Sequence, residues 1–96
     1  MQTYVALYKF TEQGAKNIKG SVERAKESLA AQEQRGFKTH GIYWTQGSYD
    51  LVAIFEAPDE HAMMAGMLNI AKAGNVHSET LRAFSAEEME VVIQKM

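Results

Sequence analysis

Residues 37–60 read FKTHGIYWTQGSYDLVAIFEAPDE. Two β-branched and aromatic runs, Phe37 to Thr45 and Tyr49 to Glu56, flank the polar segment Gln46-Gly47-Ser48. Such runs on either side of a glycine-bearing loop predict a β-hairpin. The second run is apolar on both faces, because Leu51, Ala53 and Phe55 alternate with Val52 and Ile54. A strand of that composition is expected to be covered on both sides. Pro58-Asp59-Glu60 then predicts a helix start, with proline tolerated in the first turn and the acids complementing the helix dipole.

Before the hairpin, Gly36 follows Arg35 and suits a left-handed C-cap. The helix it would close runs from Val22 to Gln34. Ala15, Ile18, Val22, Ala25 and Leu29 recur three and four apart on one face. Ser21 is its expected N-cap and Glu23 its dipole partner, with a separate helical turn at about residues 13–19. Thr3 to Phe10 reads as a strand with apolar residues on both faces. After the hairpin, Met64, Met67, Leu68 and Ala71 form one stripe of a helix that ends near Lys72, before Gly74-Asn75. Val76 to Phe84 is the fourth strand. Ser85 and Glu88 have capping-box spacing and open a terminal helix bearing Met89, Val92, Ile93 and Met96 on one face. The order is βαββαβ plus a C-terminal helix. This α+β, ferredoxin-like arrangement sets two helices on one face of a four-stranded antiparallel sheet. One domain is expected to span residues 1–96.

Composition narrows the chemistry. The 96 residues include no cysteine, which removes disulfides, thiolate zinc sites and cysteine nucleophiles together. A formal charge of −2 gives no electrostatic case for nucleic acid, which demands clustered Lys and Arg. MQTYVALYKF reads as a strand rather than a signal peptide, and no apolar run approaches the ~20 residues of a membrane helix. A cytoplasmic protein without membrane or nucleic-acid partners is the expectation.

A ferredoxin-like sheet carries its helices on one face only, so the other face needs a cover. Tyr4, Tyr8 and Phe10, with Trp44 or Tyr43, are candidates for that face, and the third strand is apolar on both faces. The simplest cover is a second copy packed sheet to sheet, giving a homodimer or a higher homo-oligomer. A cavity enclosed between subunits would hold a small-molecule ligand.

TYVALYKFTEQGAKNI, QGSYDLVAIFEAPDE and GNVHSETLRAFSAEEME together resemble the GYD-domain family, whose name matches Gly47, Tyr49 and Asp50. The resemblance extends over nearly the whole chain. It implies a ferredoxin-like domain that assembles as a dimeric α/β barrel, within a family of uncharacterised function. SVERA at residues 21–25 departs from relatives that place proline after the serine; Val22 loses the preset helical φ.

Several side chains are candidates for ligand contact: Tyr8, His40, Trp44, Asp50, His77 and Arg82. Gly47 reads as a turn residue of positive φ, Tyr49 as the first strand residue and Asp50 as a cap for backbone N–H groups. A functional reading instead makes Asp50 a base or the partner of Arg82. Adjacent strand residues point to opposite faces, so Tyr49 and Asp50 are not expected to line one pocket. His40 is expected to share a face with Ile42 and Trp44. His40 and His77 fall on opposite sheet edges, and His61 lies in a helix's first turn, so no metal site is expected. No phosphate loop or nucleophile elbow occurs, and no cofactor is expected. The functional expectation is a non-catalytic small-molecule-binding or assembly module. The alternative is a cofactor-independent enzyme, monooxygenase- or isomerase-like, in which Tyr8, His40, Trp44 and Arg82 bind a small aromatic substrate and His40 is the base.

Overall fold

Large and small side chains alternate along the two central strands, and this alternation sets the core. In the structure, a computed structural model describing residues 1–96, β1 is Gln2–Phe10 and β3 is Leu51–Ala57. Their antiparallel register sets Tyr4 against Phe55, Ala6 against Ala53 and Tyr8 against Leu51. Ala6, Ala53 and Ala57 are buried and make room for Phe55, Phe37 and Met63. The Tyr4 and Phe55 rings stack at 6.1 Å, and Phe37 tilts against Phe55 at 6.0 Å. Small residues thus interdigitate with large ones in this layer.

The sheet is completed by β2 (Lys38–Trp44) and β4 (Val76–Ala83) in the order β2-β3-β1-β4, every pair antiparallel. Helix α2 (Ser21–Gln34) lies over β2, and α3 (Glu60–Ala73) lies over β3 and β4. Helix α1 (Glu12–Lys16) and a 3-10 turn (Ile18–Gly20) precede α2, and α4 (Ala86–Gln94) follows β4. This is the expected α+β, ferredoxin-like architecture. No helix is long and apolar enough to cross a membrane.

Local signals act largely as expected. Asp59 caps α3 by accepting from the Ala62 amide at 2.8 Å, Gly74 ends it at φ 79°, and Ser85 with Glu88 closes a full capping box on α4. Pro58 lies just before the α3 cap rather than in the first turn. Ser21 is not the cap of α2. Its backbone is already helical, so its hydroxyl is free to accept from Trp44 Nε1 at 2.9 Å. The hairpin loop is also longer than expected, because Tyr49 and Asp50 lie outside β3.

Of the aromatic residues expected on the uncovered face, Tyr4, Tyr8, Phe10 and Trp44 take the opposite side, and Tyr43 lies where expected. Tyr4 and Tyr8 pack on the core beneath the helices, with Ile42, while Val5, Leu7, Val52 and Ile54 turn to the other face. Both faces are apolar, and the volume under the helices decides which one carries the rings of β1 and β3.

Candidate functional site

The uncovered sheet face is bounded at both ends by polar clusters. At one end stands the hairpin loop. Gly47 has φ 110° with nothing near its absent Cβ, so backbone conformation alone selects glycine there. Thr45 closes the loop, its amide donating to the Asp50 carbonyl at 2.8 Å and its hydroxyl to the Tyr49 carbonyl at 2.7 Å. The Asp50 amide donates to the Tyr8 carbonyl at 2.7 Å, and its carboxylate accepts from the Phe10 amide at 2.8 Å. Asp50 thus prolongs the β1–β3 ladder and satisfies the last N–H of β1.

Tyr49 turns the other way. Its phenol donates to the Glu79 carboxylate on β4, and the Lys9 ammonium lies 5.4 Å from its ring centroid. The hydrogen bond to Glu79, then desolvation and the nearby negative charge, raise the phenol pKa. The ring therefore crosses one end of the uncovered face, from the hairpin loop past β1 to β4.

At the other end, a bulge between Thr39 and Gly41 re-aims His40. Simple alternation puts His40 on the face of Ile42 and Trp44, but the extra residue turns its ring to the uncovered face. There Nε2 donates to Glu56 Oε2 at 2.7 Å, with Lys38 Nζ at 4.0 Å from the same oxygen. The His40 hydrogen bond, aided by Lys38, holds the Glu56 carboxyl below its usual range. Beside the bulge, the buried Thr39 hydroxyl has no partner.

Between these ends lies an apolar field of Val5, Leu7, Val52, Ile54, Leu81 and Tyr43. Tyr43 is 59% exposed and Leu81 45%. The Tyr43 ring rests over Gly41, where an added Cβ would lie 2.8 Å from it. Four strands about 4.8 Å apart and about 25 Å long give this face a plan area of roughly 400–500 Å². Patches of that size mark interaction surfaces.

The helix side holds a separate groove of about 490 Å³ between α2 and α3, with Tyr8, Ile42, Leu51 and Phe55 among its lining residues. Burial pushes the Tyr8 phenol up to about 12. Arg82 sits at the far end of β4, 4.4 Å from the Phe84 ring centroid and 3.6 Å from Glu88.

The sequence-predicted residues are therefore dispersed. Tyr8 and Trp44 face the helices, while His40 and His77 stand at diagonal corners of the uncovered face. Asp50 binds the β1 backbone and is not paired with Arg82. No group of three or more His, Asp or Glu side chains converges as a metal ion requires. Sequence reasoning missed Glu56 and Glu79. Glu56 carried a signal, as the one charge in the strand LVAIFEA; Glu79 carried none, since charge on an edge strand is commonplace.

A known protein resembles this chain along nearly its full length. A protein of Thermus thermophilus named "Glutamine synthetase and cystathionine beta-lyase binding protein" is 30% identical over 90 residues, which is 93% of this chain and 95% of that protein. No solved structure matches this chain. The GYD domain family matches residues 4–93, a span that holds nearly the whole sheet, the Gly47-Ser48-Tyr49-Asp50 loop and most of α4. The chain belongs to the GYD domain family.

Proposed function

We propose that this chain is a non-catalytic protein-binding module of the cytoplasm, which pairs with a second copy through the uncovered sheet face and in that form holds partner enzymes. The observation that carries this reading is the apolar field of Val5, Leu7, Val52, Ile54, Leu81 and Tyr43, bordered at each end by charges of both signs. A flat apolar centre with a polar rim is the anatomy of a protein interface. Because each end carries both an acid and a base, a copy turned by a two-fold rotation can set acid against base at both ends. The titratable groups along it are engaged with one another, Tyr49 with Glu79 and His40 with Glu56, as groups that shape a surface are. The Thermus relative's printed name supports binding to enzymes, and glutamine synthetase and cystathionine beta-lyase are the first partners to examine.

The monooxygenase- or isomerase-like alternative has no comparable support. Its four residues, Tyr8, His40, Trp44 and Arg82, lie on both sides of the sheet and at different ends of it.

Native mass spectrometry of the purified chain should give a dimer or a multiple of it. Leu81→Asp, placed in the apolar field at an exposed position, should lower self-association at least 100-fold while leaving the far-ultraviolet circular dichroism unchanged, because a buried unpaired charge at an interface costs several kcal/mol. Immobilised chain should retain glutamine synthetase or cystathionine beta-lyase from its own organism. Retention of neither enzyme, with a wild-type monomer, would sink the proposal.

A further inference from the structure

Helix α4 leaves the sheet with its apolar side bare. Met89, Val92 and Ile93 are 41%, 42% and 58% exposed, and with Met96 they form one stripe at helical spacing. The helix has nine residues, a complete capping box and a tie to β4 through Arg82 and Glu88. Isolated helices shorter than about 12–15 residues are marginal in water and depend on a packed face. This helix has no such face within its own chain.

The groove between α2 and α3 offers one. It is lined with Leu29, Ile42, Leu51, Phe55 and Ile70, and three bases, Arg24, Arg35 and Lys72, stand on it against a single acid, Glu27. Helix α4 is the converse, with Glu87, Glu88 and Glu90 against Lys95 in and just after the helix. An acid-flanked apolar stripe and a base-bearing apolar groove are complementary in both surface chemistry and charge.

A chain is poorly placed to fill its own groove. Strand β4 is an edge strand with α3 packed over it, and the groove lies on the inner side of α3. Only Phe84 and Ser85 link β4 to α4, and two residues span about 7 Å. The Arg82–Glu88 pair holds the start of α4 beside β4 as well.

We propose that α4 docks in the α2–α3 groove of a second copy of this chain. The contact uses none of the uncovered sheet face, so it is a second interface and does not depend on sheet pairing. Being formed from two different surfaces, it joins chains head to tail into a ring, or closes by reciprocal exchange of α4 between two copies.

The absence of cysteine makes introduced thiols specific reporters. One population carries Leu29→Cys in the groove and the other Ile93→Cys in α4; the two are mixed and oxidised. The expected product is a disulfide joining one chain of each kind. Arg24→Glu/Arg35→Glu/Lys72→Glu in the groove copy should reduce its yield at least tenfold, and Glu87→Lys/Glu90→Lys in the α4 copy should restore it, which a misfolded groove would not permit. The cross-link should persist in Leu81→Asp, where sheet pairing is broken. A disulfide formed only within one chain of a Leu29→Cys/Ile93→Cys variant would overturn the proposal. So would indifference to charge reversal, loss of the cross-link in Leu81→Asp, or a co-purified small molecule in the groove with α4 cross-linked nowhere.

Discussion

The Asp50 carboxylate accepts a hydrogen bond from an amide 40 positions earlier in the chain, at 2.8 Å. Its neighbour Tyr49 reaches 30 positions later, to Glu79. The expectation that these two side chains part company holds, although strand alternation is not the cause, since both residues lie in the loop. Asp50→Ala should lower stability by about 1.5–3 kcal/mol, the usual range for a lost hydrogen bond to a charged group. Urea denaturation measures this, and a change under about 0.5 kcal/mol, the range of neutral surface substitutions, would remove Asp50 from its clamping role. Gly47 was legible because turn chemistry is local. Glu79 was not, because only the paired sheet brings β4 beside the loop.

Element order, the principal caps and the antiparallel pairing follow from short-range signals: helical spacing, Gly36 and Gly74 at positive φ, and the Ser85–Glu88 box. The bulge at His40 carried no comparable signal, and it alone moves that ring from the Ile42 face to Glu56. Helix α1 shows the converse case of a contact hidden in a short element. Thr11 caps it by accepting from the Gly14 amide at 3.1 Å and donates to the Gly74 carbonyl at 2.6 Å. This draws the α3–β4 turn so close that a Cβ on Gly14 would lie 2.0 Å from the Asn75 carbonyl oxygen. Backbone on both sides leaves little room to yield. Gly14→Ala should therefore destabilise by about 1–3 kcal/mol, as overpacking does, despite alanine's better helix propensity. A thermal melt at or above that of the wild type would refute the close approach.

As a whole the chain buries little of itself. Only ten of its 96 residues are buried, and its radius of gyration is 14.4 Å, against about 12.5 Å for a compact domain of this length. The excess reflects a bare α4, an open groove and an uncovered sheet face, all surfaces suited to association. Charge also enters at this scale. Glu56 and Glu88 both have depressed pKa values, Glu56 from His40 first and Glu88 from the Ser85 amide first. A depressed carboxylate contributes stability above the ordinary glutamate range, and that contribution is lost as pH falls through the folded-state pKa. Glu56→Gln or Glu88→Gln should therefore flatten the acid side of the stability–pH profile and leave its slope near neutrality unchanged. Denaturation series at successive pH values measure this, and an acid limb as steep as the wild type's would contradict the two pairings.

Periodicity, caps and turn residues are enough to specify the βαββαβ order and the α+β class, because each acts over a few residues or one turn. Which apolar face of β1 and β3 lies beneath the helices is a different kind of choice. It depends on whether Ala6, Ala53 and Ala57 can nest with Phe55, Phe37 and Met63, which is a matter of volume summed across two strands, a loop and a helix. The same long-range packing sends Tyr8 inward, turns His40 outward and leaves Val5, Leu7, Val52, Ile54 and Leu81 as the surface on which the proposed binding rests.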